Sequence, residues 1–229
     1  MTIRERENQL FRNWYRSRFL STREQFVMDG VVDETEWEDT PINVLIFADR
    51  IHAPVHVSDE CEWLYRYEDG DHQEKSPEIE EFIQWLSAIF HGTPQETQAV
   101  LSSKITDTHK QWLLRQMAII NSSKVRNDTM HRQNEVISRL FLRSQLDLYA
   151  CDFVLCAGTT GYLQQLDTKY AADKWKEADT GISYLRRGRT VYLDMASLMG
   201  NEQAHECIVK TLESIEKKEN IHWNRPLPI

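Results

Sequence analysis

Four short apolar runs, separated by long segments with helical spacing, constrain the fold of this chain more than any other feature of its sequence. The runs lie at 42–48, 113–120, 152–158 and 189–194. Short runs of this kind are typical of strands buried on both faces of a sheet, and helices between successive strands indicate parallel pairing. The sequence therefore predicts an α/β fold, a three-layer sandwich whose mostly parallel four-stranded sheet is flanked by helices.

The segments between the runs carry recognisable helix signals. Ser76, Pro77 and Glu78 form a helix start, and apolar residues recur at helical spacing from there until Gly92. Asp33 precedes a short capped turn of helix. Further helices are expected over 3–28, 93–103, 127–150, 159–170 and 203–218.

The length and composition favour one globular unit. The chain has 229 residues, of which 41% are hydrophobic, enough for a sizeable core. We expect a single α/β domain over 1–229 with an N-terminal helical extension at about 1–28. The oligomeric state cannot be read from the sequence.

Charge and cysteine usage exclude several classes of protein. The net charge is −9, from 27 basic and 36 acidic residues, which argues against coating nucleic acid by bulk charge but permits a local basic cleft. No signal peptide or membrane-spanning run is recognisable, and the four cysteines have neither disulfide nor zinc spacing. We expect a cytoplasmic protein with buried free thiols, no membrane partner, no metal and no cofactor.

The ends of the four predicted strands are the natural place for a site, because ligands of open α/β sheets bind outside the carboxyl ends of the strands. Polar residues follow each run, and we expect them to meet at one edge of the sheet. These candidate clusters are 49–52, 121–124, 158–161 and 194–197.

These strand ends match the uracil-DNA glycosylase superfamily in order and spacing. The stretches that carry the resemblance are DGVVDETEW followed by INVLIFADR, then MAIINSSKVRN, FVLCAG and VYLDMASLMGN, and together they cover roughly 29–218. The resemblance implies a DNA glycosylase, a hydrolase that flips out a pyrimidine-type base and cuts its N-glycosidic bond. Divergent bacterial members include defence enzymes against phage, so a modified phage base is the narrower expectation.

Two departures from the family pattern put the activity in doubt. Arg50 stands where the family has its water-activating acid, and Asp49 comes one residue earlier. The His-Pro-Ser element is replaced by Asp194, Met195, Ala196 and Ser197. The departures leave open a catalytically inactive module that binds DNA or a nucleotide, and an unrelated α/β protein is a third possibility.

Catalysis requires a group that reads the base, aromatic faces for stacking and a carboxylate near the anomeric carbon. The resemblance places Asn121 at the base edge, and the alternative for this residue is a helix N-cap or an Asx turn. Asp49 is the first candidate for the carboxylate and Asp194 the second, the alternative for both being a loop acid or helix cap. His52 is a candidate donor to the departing base or contact for a phosphate, and the alternative is an ordinary loop histidine. Candidates for the stacking wall, which core packing explains equally well, are Phe47, Trp63 and Tyr65.

Hydroxyls, backbone N–H groups and cations near these positions are candidates for binding the DNA backbone. The residues expected in this role are Ser122, Ser123, Lys124, Arg126, Gly158, Thr159, Arg187 and Ser197. The arginines of the first helix are an additional candidate, but ion pairs with neighbouring glutamates on a solvated face explain them as well.

Overall fold

The computed structural model describes residues 1–17, 27–49, 64, 77–91, 107–124, 135–201 and 203–223. Its helices are α1 (Ile3–Ser17), α2 (Glu34–Asp39), α3 (Pro77–His91), α4 (Asp107–Arg115), α5 (Glu135–Leu146), α6 (Thr160–Leu166) and α7 (Ala204–Glu219). Its strands are β1 (Gly30–Val31), β2 (Val44–Ala48), β3 (Met117–Asn121), β4 (Phe153–Ala157), β5 (Lys176–Glu177), β6 (Ser183–Arg187) and β7 (Thr190–Asp194). Short 3-10 helices lie at Thr168–Tyr170, Ala172–Lys174 and Ala196–Leu198.

The strands form one mixed sheet in the order β1-β3-β2-β4-β7-β6-β5. The four predicted runs contain its central strands, β3, β2, β4 and β7, which pair in parallel, but the first three residues of the run at 113–120 belong to α4. The prediction of a four-stranded sheet is wrong, because β1, β5 and β6 extend it by antiparallel pairing. β1 and β5 have two residues each, too few to show any hydrophobic period, and β6 is apolar only at its centre.

Helices cover both faces of the sheet, as an α/β sandwich requires. One apolar cluster joins alternate residues of the central strands to α3, α4 and α7, and the other joins the remaining strand residues to α1, α5 and α6. This alternation follows from the period of two along a strand, which sends successive side chains to opposite faces. β2, β3 and β4 are buried along their whole length, whereas β7 is fully buried only at its three central residues.

Most of the described helices lie where the sequence predicts them. α3 begins at Pro77, and the Asp33 carboxylate caps α2 by accepting hydrogen bonds from the backbone N–H groups of Thr35 and Glu36. α5 ends at Leu146, four residues before the end of its predicted range, and the predicted helix at 159–170 divides into α6 and a 3-10 turn. The helix predicted over 93–103 lies outside the described residues.

The N-terminal helix packs directly on the sheet layer. Trp14 is fully buried and stacks on Phe141 of α5 at 5.3 Å between ring centroids. Gly30, at the start of β1, has φ of +138°, and a Cβ there would overlap the carboxylate of Glu7. The close approach of α1 to β1 therefore requires glycine at this position.

Within the described ranges, no helix combines the length and apolar character that crossing a membrane requires.

Candidate functional site

The carboxyl ends of the four parallel strands lie side by side at one edge of the sheet. In the register, Ala48 of β2 pairs with Asn121 on one side and Ala157 on the other, and Cys156 pairs with Asp194. β2 leads to β3 on one side, whereas β4 leads to β7 on the other. The direction of the connections thus reverses between β2 and β4, which is where open α/β sheets form their ligand crevice.

Asp49 stands immediately after β2 at this crevice and is exposed. The Ser122 hydroxyl lies 2.7 Å from the Asp49 Oδ1 and 3.1 Å from the Asp49 backbone oxygen, and it can donate to either. The Ser122 backbone N–H donates to the Ala48 carbonyl over 2.8 Å, so the serine is itself held by the strand ends. Asp49 is therefore a solvent-accessible carboxylate with a fixed partner, as a base acting on water requires.

The Gly158–Thr159 turn follows β4 on the other side of the crevice. Gly158 is exposed and has φ of +71°, whereas Thr159 is buried and its hydroxyl donates to the Phe47 carbonyl over 2.6 Å. Thr159 thus ties the ends of β4 and β2 together, and its hydroxyl faces the protein. Of the two, only Gly158 offers its backbone to solvent.

Asp194 and Ser197 lie on the neighbouring turn after β7. The Asp194 Oδ1 accepts a hydrogen bond over 3.2 Å from the N–H of Ala196, the first residue of the 3-10 helix that contains the exposed Ser197. A Cβ on Gly158 would lie 3.9 Å from the Met199 Sδ, so this turn adjoins the turn after β4. Asp194 is half-buried and has a structural partner, which makes Asp49 the more available carboxylate.

Cys156 lies beneath these turns. Burial raises the pKa of its thiol well above the usual value, and the neighbouring Asp194 carboxylate raises it further. The thiol stays protonated at neutral pH and is unsuited to act as a nucleophile.

Phe47 does not present its ring to the crevice. Its side chain is fully buried in the cluster beneath α6, where the ring of Tyr162 meets it edge-on at 6.3 Å. Tyr162 itself is partly exposed and follows the Gly158–Thr159 turn by one helical turn. Tyr162 is therefore the aromatic side chain near this crevice that sequence reasoning missed, although its position after the GTTG turn was a usable signal.

Asn121 occupies the end of β3, but its side chain points to a buried partner. It is 2% exposed, and its amide nitrogen lies 3.2 Å from the Asp29 Oδ2, which also accepts from the Asn121 backbone N–H over 2.7 Å. Neither a helix N-cap nor an Asx turn describes this arrangement. The residue predicted to read the base joins two segments that are 92 positions apart.

Lys124 shares the same partner. Its ammonium contacts the Asp29 carboxylate, is 1% exposed as a residue, and lies 5.8 Å and 5.6 Å from the ring centroids of Phe11 and Trp14. A lysine buried in this way does not present its charge to a DNA phosphate. We therefore leave Lys124 out of the candidate DNA contacts.

Asp29 is the centre of a buried polar network that reaches α1. The Gln145 amide donates to the Asp29 Oδ1 over 2.8 Å, and the Tyr149 hydroxyl donates to the Glu7 Oε1 over 2.7 Å. Burial raises the pKa of Glu7, more than its hydrogen bonds from Tyr149 and Val31 lower it. Burial and the adjacent Glu7 raise the pKa of Tyr149 well above its ordinary value, so the phenol remains the donor in this pair.

Arg187 lies at the opposite edge of the sheet from Asp49. It pairs with Thr190 at the amino end of β7, whereas Asp194 ends the same strand. The structure thus separates Arg187 from the strand-end crevice. Ser123 is half-buried beside Ser122. The remaining predicted site residues, His52, Trp63, Tyr65 and Arg126, lie outside the described residues.

Among the described residues, no group of three or more histidine, cysteine, aspartate or glutamate side chains is arranged to hold a metal ion.

Comparisons of this chain with protein-family models, with curated proteins and with solved structures found no match.

Proposed function

We propose that this chain is a DNA glycosylase that hydrolyses the N-glycosidic bond of a flipped-out, pyrimidine-type nucleotide and leaves an abasic site. The observation that carries the proposal is the exposed Asp49 carboxylate, fixed by Ser122 beside the strand-end crevice. The ordered resemblance of the four strand ends to the uracil-DNA glycosylase superfamily supplies the reaction class.

Asp49 acts as the base in the proposed reaction. A water oxygen bonds to the anomeric carbon while the carbon–nitrogen bond breaks and its electron pair leaves with the base. The water's proton passes to Asp49 and from there, through solvent, to the departing base, which leaves as the neutral free base. The negative carboxylate also stabilises the positive charge that develops on the sugar.

Other residues of the crevice position the substrate. The exposed Gly158 backbone and the Ser197 hydroxyl are placed to contact phosphate oxygens, and the partly exposed Tyr162 offers a ring near the flipped base. Asp194 supports the turn that carries Ser197. His52 stays a sequence-based prediction for the donor to the leaving base.

The narrower proposal is that the base is a modified one in phage DNA and that the enzyme acts in the cytoplasm in anti-phage defence. The absent His-Pro-Ser element and the displaced acid support it, since both depart from the pattern of family members that act on an ordinary base.

A second candidate function is a catalytically inactive module that binds DNA or a nucleotide. The burial of Asn121 against Asp29 favours it, because this amide is not open to a base. Binding without base release distinguishes this candidate from the enzyme.

The decisive experiment combines base release with a matched pair of variants. Purified protein is incubated with a panel of genomic and modified phage DNAs, free bases are identified by mass spectrometry, and abasic sites are counted with an aldehyde-reactive probe. Asp49→Asn should lower base release by about 10²–10⁴-fold. Ser122→Ala should lower it less, because the carboxylate remains.

Asp39→Asn is the control, since it removes the same charge from an exposed carboxylate at the end of α2. It should release base at the wild-type rate. Full activity in Asp49→Asn would contradict the proposed role of Asp49, and absence of base release from every DNA, with binding retained, would select the binding module.

A further inference from the structure

A groove rich in cations lies along the β5–β6 side of the sheet, away from the strand-end crevice. It has a volume of about 520 Å³, and its lining includes Lys169, Lys174, Trp175, Lys176, Arg186 and Arg187. Asp173 is the acidic residue of the lining. On a chain with a net charge of −9, five cations around one open groove constitute a local reversal of charge.

Three of these cations are already paired with carboxylates. Lys169 contacts Asp147 at 2.8 Å, and Lys176 and Arg186 share Glu219 at 2.7 Å and 3.5 Å. These pairs hold the side chains in place, and because Lys176 and Arg186 share one carboxylate they leave one net positive charge.

Lys174 and Arg187 add two further positive charges to the groove. The Lys174 ammonium donates to the Thr168 carbonyl over 2.7 Å, and the Arg187 guanidinium lies 5.6 Å from the centroid of the Tyr170 ring. Within the part of the chain that the structure describes, neither has a carboxylate partner. Both are exposed, so an anion can approach them from solvent.

Trp175 adds an aromatic side chain to the lining of the same groove. It is half-buried, and its indole N–H donates to the Tyr170 carbonyl over 3.0 Å, which fixes the orientation of the ring. A fixed, partly exposed indole beside cations is the combination with which proteins bind single-stranded nucleic acid, by stacking bases and contacting phosphates.

We infer that this groove binds a segment of single-stranded DNA, with a base on Trp175 and backbone phosphates at Lys174 and Arg187. The volume lies in the range of pockets that hold a small ligand, which suits one nucleotide and its phosphates. The choice of DNA among polyanions rests on the function proposed above. The groove is a second contact, separate from the crevice at Asp49, since Arg187 lies at the amino end of β7.

The test measures binding of a fluorescein-labelled oligothymidine by fluorescence anisotropy over a range of salt concentrations. The double variant Lys174→Glu, Arg187→Glu should weaken binding at low salt by about tenfold or more and reduce the magnitude of the salt slope by about 1.4, the value for two lost phosphate contacts on a single strand. Trp175→Leu should weaken binding several-fold with an unchanged salt slope, because it removes stacking and no charge.

The control is Lys210→Glu, Lys217→Glu, which changes the net charge equally at two exposed positions one heptad apart on α7. It should bind like the wild type. Equal loss in the control, wild-type binding by the groove variant, or displacement of the oligonucleotide by inorganic tripolyphosphate with no effect of Trp175→Leu would each overturn the inference. Circular dichroism of each variant confirms that the fold is retained.

The same proteins separate this inference from the proposed function. If base release requires Asp49 but the groove variant binds the oligonucleotide like the wild type, the groove inference alone is overturned. Groove-dependent binding of the oligonucleotide without base release from any DNA would refute the glycosylase and leave the groove intact.

Discussion

The side-chain amide of Asn121 is bound to the buried carboxylate of Asp29, at 3.2 Å between the amide nitrogen and Oδ2. The same oxygen also contacts the Lys124 ammonium. Two residues expected at the DNA are thereby engaged by one acid from the segment before β1. The buried contacts of Asp29 with Asn121 and Lys124 therefore hold the end of β3 to the segment before β1. Removing them should change the free energy of unfolding.

Asn121→Ala should lower the free energy of unfolding by about 1–3 kcal/mol, because it removes a donor to a buried carboxylate. Asn121→Asp should cost more, about 3–5 kcal/mol, because it places a second buried carboxylate against Asp29. Urea denaturation measures both. As a control, the corresponding changes at the exposed Asn8 should alter the free energy of unfolding by no more than about 0.5 kcal/mol. Equally small effects at Asn121 would contradict the structural role of the Asn121–Asp29 contact.

Lys124→Met should also destabilise the protein, by about 3–5 kcal/mol, because the Asp29 carboxylate loses the charge that compensates its burial. Adding Asp29→Asn to Lys124→Met should recover part of that loss. A double-mutant cycle by urea denaturation gives the coupling, and purely additive effects of the two changes would show that the two charges do not depend on each other.

The stability contributed by Glu7 should depend on pH. Burial raises the pKa of this carboxyl above 4.5 in the folded protein, so the folded state retains a proton that the unfolded chain releases as pH rises. The contribution is therefore present at low pH and declines as pH rises through the raised pKa. The free energy of unfolding of the wild type should therefore fall relative to that of Glu7→Gln as pH rises above 4.5. Glu5→Gln, an exposed change on the same helix, should show no such trend.

A histidine cluster between α3, α4 and α7 should make the protein sensitive to mild acid. The Nε2 atoms of His91 and His109 lie 3.0 Å apart, so one ring must accept the other's proton and both cannot be charged in this arrangement. Burial, together with the nearby His91, lowers the pKa of His205 to about 4, and burial lowers that of His109.

Because the pKa values of His205 and His109 are lowered, the folded protein loses stability as pH falls. Stability from His205 is fully present above pH 6.5, the value of a free histidine, and is lost as pH falls toward about 4, because the unfolded chain binds the proton first. We expect a loss of roughly 1–2 kcal/mol, allowing for solvent screening. His205→Gln should flatten this part of the stability profile and the exposed His222→Gln should not; identical profiles for the two variants would contradict the assignment.

The four parallel strands could be predicted because their signal is local. Each run contains an uninterrupted apolar stretch, and burial on both faces of a sheet demands that pattern. Their common edge also followed, because parallel strands place their carboxyl ends together. The exposed position of Asp49, one residue beyond β2, follows from the same reasoning.

The added strands and several side-chain roles could not be predicted, because their causes lie far away in the chain. β1 becomes a strand only through its pairing with β3, and Gly30 is required there only because Glu7 approaches it. Phe47 has the sequence position of a stacking residue, yet the period of two along β2 directs its ring into the cluster beneath α6.

The α/β class, the central parallel strands, most helix positions and the edge at which a site can form were readable from the sequence, because apolar period and helix caps are short-range properties. Which polar residues at that edge remain available depends instead on contacts between segments that are distant in the chain. Asp49 stays in solvent because its partner, Ser122, is at the surface with it. Asn121 and Lys124 are not available at the crevice, because the buried Asp29 carboxylate needs hydrogen-bond and charge partners. These two partners lie 92 and 95 residues from Asp29 in the chain.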